Sequence, residues 1–181
     1  MTTMSELTTE QERLLDYLEK FKDIRGSFLG LKGWAYCGIE DFILQHGQWF
    51  NITPIPTNVI QGAPKCCFGN AIIQSALYGY RYIEGYATTS ITAPLAFHHA
   101  WNTDQYGNLI DSTWMNTGTA YIGIEFSLGR ADSASWFDDA TVLDNPGNRW
   151  KIFKEPWNGE DFSIKWPKSP ALKSLRIKPR K

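Results

Sequence analysis

The chain has 181 residues with a formal net charge of −1 at pH 7, and 43% of the residues are hydrophobic and 20% charged. These proportions are ordinary for a soluble globular protein, and the length predicts one domain with a proper core. No apolar run approaches the roughly 18 residues that a helix needs to cross a bilayer, so no membrane-spanning helix is expected.

The termini and the cysteines suggest where the protein works. The start, MTTMSELTTEQER, has neither a basic region nor an apolar stretch, so we expect no secretory signal and a cytoplasmic protein. Three cysteines, two of them adjacent, are a poor disulfide framework, which fits a reducing compartment. Residues 168–181 carry six basic residues and no acid, which leaves −7 on residues 1–167. Such a tail suits nucleic acid or an acidic partner, but its shortness and lack of interleaved aromatics favour a solvated, flexible terminus.

Helices are predicted in the first part of the chain. Apolar residues at helical spacing predict a helix over residues 9–25, stopped by the glycine that follows. A second helix is predicted over residues 38–45. The proline-broken residues 48–60 then take an extended path, and Cys67 opens a third helix that ends near Gly79.

Strands are predicted in the second part. Four segments are rich in aromatic and β-branched residues and separated by turns: YRYIEGYA, PLAFHHAWN, NLIDSTW and AYIGIEFS. Most would be joined as hairpins, so the sheet is predicted to be antiparallel. Residues 131–138 predict one more short helix, and residues 151–154, KIFK, a weak strand. Helices followed by an antiparallel sheet indicate one α+β domain over residues 1–167, with the tail 168–181 after it.

Cys67 has the setting of a nucleophilic thiol. The first amides of a helix have no partners and carry partial positive charge, so they stabilise a thiolate. A helix N-terminus and a neighbouring imidazolium lower the pKa of a thiol from its usual value of about 8.5. The small residues 69–71 would let a substrate approach. Cys66 is the alternative nucleophile, and Cys37 is expected in the core.

A base and an orienting acid follow in order. His99 and Asp111 bracket the turn TDQYGN, and direct pairing across the hairpin would put both side chains on one face of the sheet. That requires an odd number of turn residues, such as a type I turn closed by a left-handed Gly107 with a G1 bulge. Alternation along the strand directs His98 away from His99, so only one of them can serve as the base.

Other residues are candidates for supporting roles. Gln61 lies six residues before Cys67, and its side-chain amide, with the Cys67 backbone N–H, would stabilise an oxyanion. Trp101 and Trp114 are expected to pack behind the hairpin, with one of them as an alternative wall of the substrate groove, for which Trp101 is the candidate. Glu84 is expected to be partly buried on a strand and to pair with a base.

No metal or cofactor is predicted. The doublets Cys66-Cys67 and His98-His99 would diverge in direction, and the chain has no C-x-x-C or H-x-x-x-H spacing. No glycine-rich loop suggests phosphate or nucleotide binding.

The order CFGNA, YIEGYA, HHAWN, LIDSTW and YIGIEF resembles the transglutaminase-like branch of the papain-fold cysteine enzymes. In that family a helix-opening cysteine is followed by a strand bearing His-Ala-Trp and then by one bearing Asp-x-Thr. The resemblance covers about residues 61–126. It implies that Cys67 is the nucleophile, His99 the base and Asp111 the orienting acid, and Gln61 is similar to the oxyanion glutamine of papain-type relatives.

The resemblance also implies a fold and a reaction. The fold would be papain/transglutaminase-like, with N-terminal helices and a nucleophile-bearing helix packed on an antiparallel sheet. The reaction would be amide, isopeptide or ester chemistry through an acyl-thioenzyme, with a peptide or protein as acyl donor. Hydrolysis is favoured because nothing in a small single domain clearly excludes water from the thioester. The alternatives are a transamidase that uses a primary amine, and a catalytically silent binding module.

Overall fold

The computed structural model of the chain describes residues 7–29, 32–91, 95–127 and 141–159. These ranges contain three α-helices and one five-stranded antiparallel sheet, so the predicted α+β class is confirmed. The helix predicted over residues 131–138 and the basic tail 168–181 lie outside the described residues.

The three helices are α1 Thr9–Leu29, α2 Ile39–His46 and α3 Cys67–Tyr78. The predictions for α2 and α3 are right to within about one residue. The predicted end of α1 is wrong, because the helix continues through Gly26, and one interior glycine costs a helix only about 1 kcal/mol. Leu14 and Leu18, on the inner side of α1, are completely buried. Within the described ranges, no helix combines the length and apolar character needed to cross a membrane.

The five strands are β1 Gln48–Trp49, β2 Arg81–Thr89, β3 Ala96–Thr103, β4 Leu109–Ile110 and β5 Gly118–Phe126. Their spatial order is β1-β5-β2-β3-β4, with every pair antiparallel. The hairpins β2–β3 and β3–β4 agree with the prediction, whereas β5 crosses over to pair with β2. The predicted strand at KIFK is wrong, because Lys151–Phe153 forms a 3₁₀ turn.

The sheet buries apolar side chains on both faces. The face toward the helices forms the larger cluster, which includes Tyr82, Tyr86, Ala100, Ile122 and Ile124. The opposite face forms a smaller cluster of Phe50, Ile83, Ala87, Trp101, Leu109 and Tyr121. Because neighbouring residues of a strand point to opposite faces, β3 places His98 on the helix side and His99 on the other side.

Candidate active site

The β3–β4 hairpin brings His99 and Asp111 to one face of the sheet. The last described pair is Asn102 with Ile110, and five residues separate the two strands, the odd number that a shared face requires. Gly107 adopts a φ of 84°, in the predicted left-handed region. The predicted direct pairing is wrong, because this register puts Asp111 two residues out of step with His99. An offset of two preserves the face, since the side-chain period of a strand is two.

Asp111 is a fixed and fully hydrogen-bonded carboxylate. Its Oδ2 lies 2.8 Å from His99 Nε2 and accepts a 2.8 Å hydrogen bond from the Tyr121 hydroxyl. Its Oδ1 accepts hydrogen bonds from the amides of Thr113 at 2.8 Å and Trp114 at 3.0 Å. The residue is completely buried, and His99 is 2% exposed. The carboxylate can therefore hold the imidazole in one orientation, as expected for the acid of a triad.

The protonation of the pair is set by competition between burial and charge. Burial, the largest influence, would lower the pKa of His99, but hydrogen bonds with Asp111 and Cys67 and the charges of both raise it to about 9. Burial would likewise raise the pKa of Asp111, but the hydrogen bond and charge of His99 and further donors hold it below its usual range. At neutral pH the pair is therefore an imidazolium beside a carboxylate.

Cys67 is the third group at the His99 ring. It is half-buried at the first position of α3, whereas Cys66 is exposed at the N-cap. The first hydrogen bond of the helix joins the Asn70 amide to the Cys66 carbonyl at 2.8 Å, so the amides of residues 67–69 have no partner inside the helix. Because Asp111 takes Nε2, Nδ1 is the ring nitrogen left for the thiol. The structure thus brings Cys67 close enough to His99 to raise the pKa of the ring that Asp111 holds.

The loop before the thiol is tied to the residues that follow Asp111. The Gly62 amide donates to the Ser112 carbonyl at 2.7 Å. The side-chain amide of the buried Asn70 donates to the Ala63 carbonyl at 2.8 Å and to Thr113 Oγ1 at 2.9 Å. A side chain at position 62 would collide with Asn70, so only glycine permits this close approach. The loop and the acid are therefore held as one unit.

The approach to α3 includes one strained residue. Lys65 has a φ of 62°, a region that is unfavourable for any residue with a Cβ. It lies in the turn that leads the chain into α3. Gln61, the predicted oxyanion donor, is exposed at the start of the same loop. The next residue, Gly62, is fixed by its hydrogen bond to the Ser112 carbonyl, so the backbone that carries the Gln61 side chain is ordered.

Trp114 covers the imidazole. Its ring stacks on His99 with centroids 3.9 Å apart and planes 13° apart, and it is half-buried. Trp101, the sequence-based candidate for the groove wall, is 1% exposed and packs edge-on against Phe50 in the smaller cluster. Trp114, rather than Trp101, therefore presents surface at the histidine. Its stacking had no sequence signal, and neither had the Tyr121 bond to Asp111.

His98 belongs to a second histidine–carboxylate pair on the opposite face. Its Nε2 lies 3.0 Å from Oε1 of the completely buried Glu84, which also accepts hydrogen bonds from the amides of Val142 and Leu143. The predicted pairing of Glu84 with a base is confirmed, and its burial is complete rather than partial. Glu84 thereby fastens the segment after residue 140 to the sheet, and its contact with His98 leaves His99 as the histidine that interacts with Cys67.

Among the residues that the structure describes, no cluster of three or more histidine, cysteine, aspartate or glutamate side chains could hold a metal ion. No protein-family model, no curated protein and no solved structure matches this chain.

Proposed function

We propose that the chain is a thiol-dependent acyl-transfer enzyme that hydrolyses an amide or isopeptide bond of a peptide or protein through an acyl-thioenzyme. The observation that supports it most is the His99 ring, which binds Asp111 through Nε2 and also interacts with Cys67 at the start of α3. A thiol at a helix N-terminus beside an imidazolium is the arrangement that generates a reactive thiolate.

The proposed reaction assigns each group a step. The Cys67 sulfur bonds to the carbonyl carbon, and the oxyanion is stabilised by the Cys67 N–H and the Gln61 side-chain amide. The C–N bond breaks as His99 gives its proton to the departing amine. Water then attacks the thioester and gives a proton to His99, and the C–S bond breaks with Cys67 leaving as thiolate. Asp111 holds the ring and stabilises its charged form throughout.

The papain/transglutaminase-like fold is part of this proposal. Its support is the packing of α3 against β2 and β3, with the base on β3 and the acid directly after β4. The motifs His99-Ala100-Trp101 and Asp111-Ser112-Thr113 occur on these elements in the order that the resemblance requires.

Transamidation is a second candidate, favoured by one observation. Trp114 covers one face of His99, which leaves the ring 2% exposed and restricts the access of water to it. Hydrolysis remains the first proposal because Cys67 is only half-buried, so a thioester formed there is open to water. Product analysis with and without an added primary amine distinguishes the two reactions.

The test is site-resolved alkylation of the full chain by iodoacetamide at pH 7, with mass spectrometry assigning each cysteine. Cys67 should be alkylated at least about tenfold faster than Cys66, although Cys66 is the more exposed thiol. Cys37 should react slowest, because burial and the neighbouring Asp41 raise the pKa of its thiol to about 11.

Two variants complete the test. Replacing the base, His99→Gln, should remove the preference for Cys67, whereas the matched change Cys66→Ser should leave the alkylation rate of Cys67 unchanged. A chain that folds normally but alkylates Cys67 no faster than Cys66 would refute the proposed enzyme and favour the silent binding module.

A further inference from the structure

The face of β3 that carries His99 continues into exposed apolar side chains. Phe97 lies two residues before His99, on the same face of the strand, and is 37% exposed. Its ring meets Trp114 edge-on, with centroids 5.9 Å apart and planes at 80°. Trp114 in turn stacks on His99. Phe97 is therefore joined to the imidazole through one shared aromatic neighbour.

Leu95 extends this surface away from the site. It directly precedes β3, two residues before Phe97, and is 55% exposed. We call Leu95, Phe97 and Trp114 the apolar strip. Residues 95–99 and 112–118 contain no Asp, Glu, Lys or Arg, and His98 points to the other face toward Glu84.

Single exposed apolar residues are common on protein surfaces and need no explanation. The apolar strip differs because it is contiguous with the proposed reacting groups. Exposed apolar surface that adjoins a site built of polar groups is the usual composition of a ligand pocket, where apolar walls supply affinity and few polar atoms supply orientation.

We propose that the apolar strip binds an apolar or aromatic side chain of the acyl donor next to the carbonyl that Cys67 attacks. This inference rests on the proposed function and adds the substrate class: acyl groups with an uncharged apolar side chain. An aromatic ring suits the strip best, because Phe97 and Trp114 already hold the edge-to-face geometry that aromatic rings prefer.

The test uses two acyl donors, 4-nitrophenyl acetate and 4-nitrophenyl 3-phenylpropanoate, with the full chain carrying Cys66→Ser so that one helix-start thiol remains. Acylation forms a C–S bond at Cys67 and breaks the ester C–O bond, and 4-nitrophenolate leaves with the electron pair. Its absorbance gives the rate, and mass spectrometry confirms the thioester at Cys67. N-acetylcysteine gives the ratio of the two rates without a protein surface.

The phenylpropanoyl-to-acetyl ratio should exceed that of N-acetylcysteine about tenfold or more, the discrimination typical of an apolar pocket. Phe97→Ala should return the ratio most of the way to the reference. The matched control Ile73→Ala removes an exposed apolar side chain of α3 and should leave the ratio unchanged.

The two possible failures can be told apart. If Cys67 is acylated by both esters with the N-acetylcysteine ratio, or if Phe97→Ala leaves a raised ratio intact, the apolar strip is not the acyl subsite and the proposed function still stands. If neither ester acylates Cys67 in a folded chain, both the proposed function and this inference are overturned.

Discussion

Asp111→Asn tests the electrostatics of the candidate site most directly. The substitution keeps an Oδ1 acceptor for the two backbone amides and removes the negative charge that faces His99. Burial lowers the pKa of His99 and is the largest influence on it, so it should prevail once the carboxylate is gone. We expect the pKa of His99 to fall from about 9 in the wild type to below 6.5 in the variant.

The magnitude follows from the shift of the wild-type ring. A rise from the reference value of about 6.5 to about 9 favours the imidazolium in the folded state by about 3 kcal/mol. Because the folded pKa is the higher one, this stabilisation is fully present below pH 6.5 and is lost as the pH rises through about 9. The free energy of unfolding of the wild type should therefore fall by about 3 kcal/mol over that window, and Asp111→Asn should lack this fall.

Two measurements check the expectation. NMR titration of isotopically labelled histidine between pH 5 and 10 reports the His99 pKa, with His99→Gln assigning the resonance, and urea unfolding across the same range reports stability. Asp104→Asn is the matched control, because Asp104 lies in the same hairpin and its carboxylate accepts hydrogen bonds from the turn amides of Tyr106 and Asn108. Arg81 contacts only the backbone carbonyl of Asp104 among the described hydrogen bonds, so this contact does not depend on the carboxylate. A wild-type His99 that titrates at or below 6.5, or an unchanged pKa in Asp111→Asn, would refute the reasoning.

Three further substitutions test the supports of the site by chemical unfolding at pH 7. Glu84→Gln replaces a buried acceptor of several hydrogen bonds and should cost about 3 kcal/mol, and a loss below about 1 kcal/mol would contradict that role. Asn70→Ala frees the loop before the thiol and should cost about 1–3 kcal/mol, whereas Gly69→Ala, which meets open space on the same helix, should cost nothing. Tyr121→Phe removes a donor to a charged carboxylate and should cost about 1.5–3 kcal/mol, and a loss no larger than that of the exposed Tyr106→Phe would count against it.

The local parts of the site could be predicted from the sequence. The start of α3 at Cys67 follows from the change from a proline-broken stretch to helix formers, and the shared face of His99 and Asp111 follows from an odd turn closed by Gly107. The exact offset of the pair could not be predicted, because a three-residue and a five-residue turn satisfy the same parity.

The non-local parts had no sequence signal. β5 is buried on both faces through most of its length, so its hydrophobic pattern does not reveal which strand it pairs with. It pairs with β2 and not with β4, the strand before it in the chain. β1 has only two residues, too few for any periodicity. Trp114 reaches His99 through stacking, and Tyr121 reaches Asp111 across the sheet, so both contacts depend on the assembled fold.

The two adjacent histidines of β3 do not by themselves fix the register of the strand. A slip by one position would still leave an imidazole facing one of the two buried carboxylates, while the other carboxylate would face Ala100 or Phe97. Asn102 resolves the ambiguity, because its side-chain amide donates to the Ala71 carbonyl and to Ser75 Oγ, both at 2.9 Å, and a slip would carry it away from both. The residue that selects which imidazole meets the thiol is thus Asn102, three residues along β3 from His99. Its side chain takes no part in the proposed chemistry.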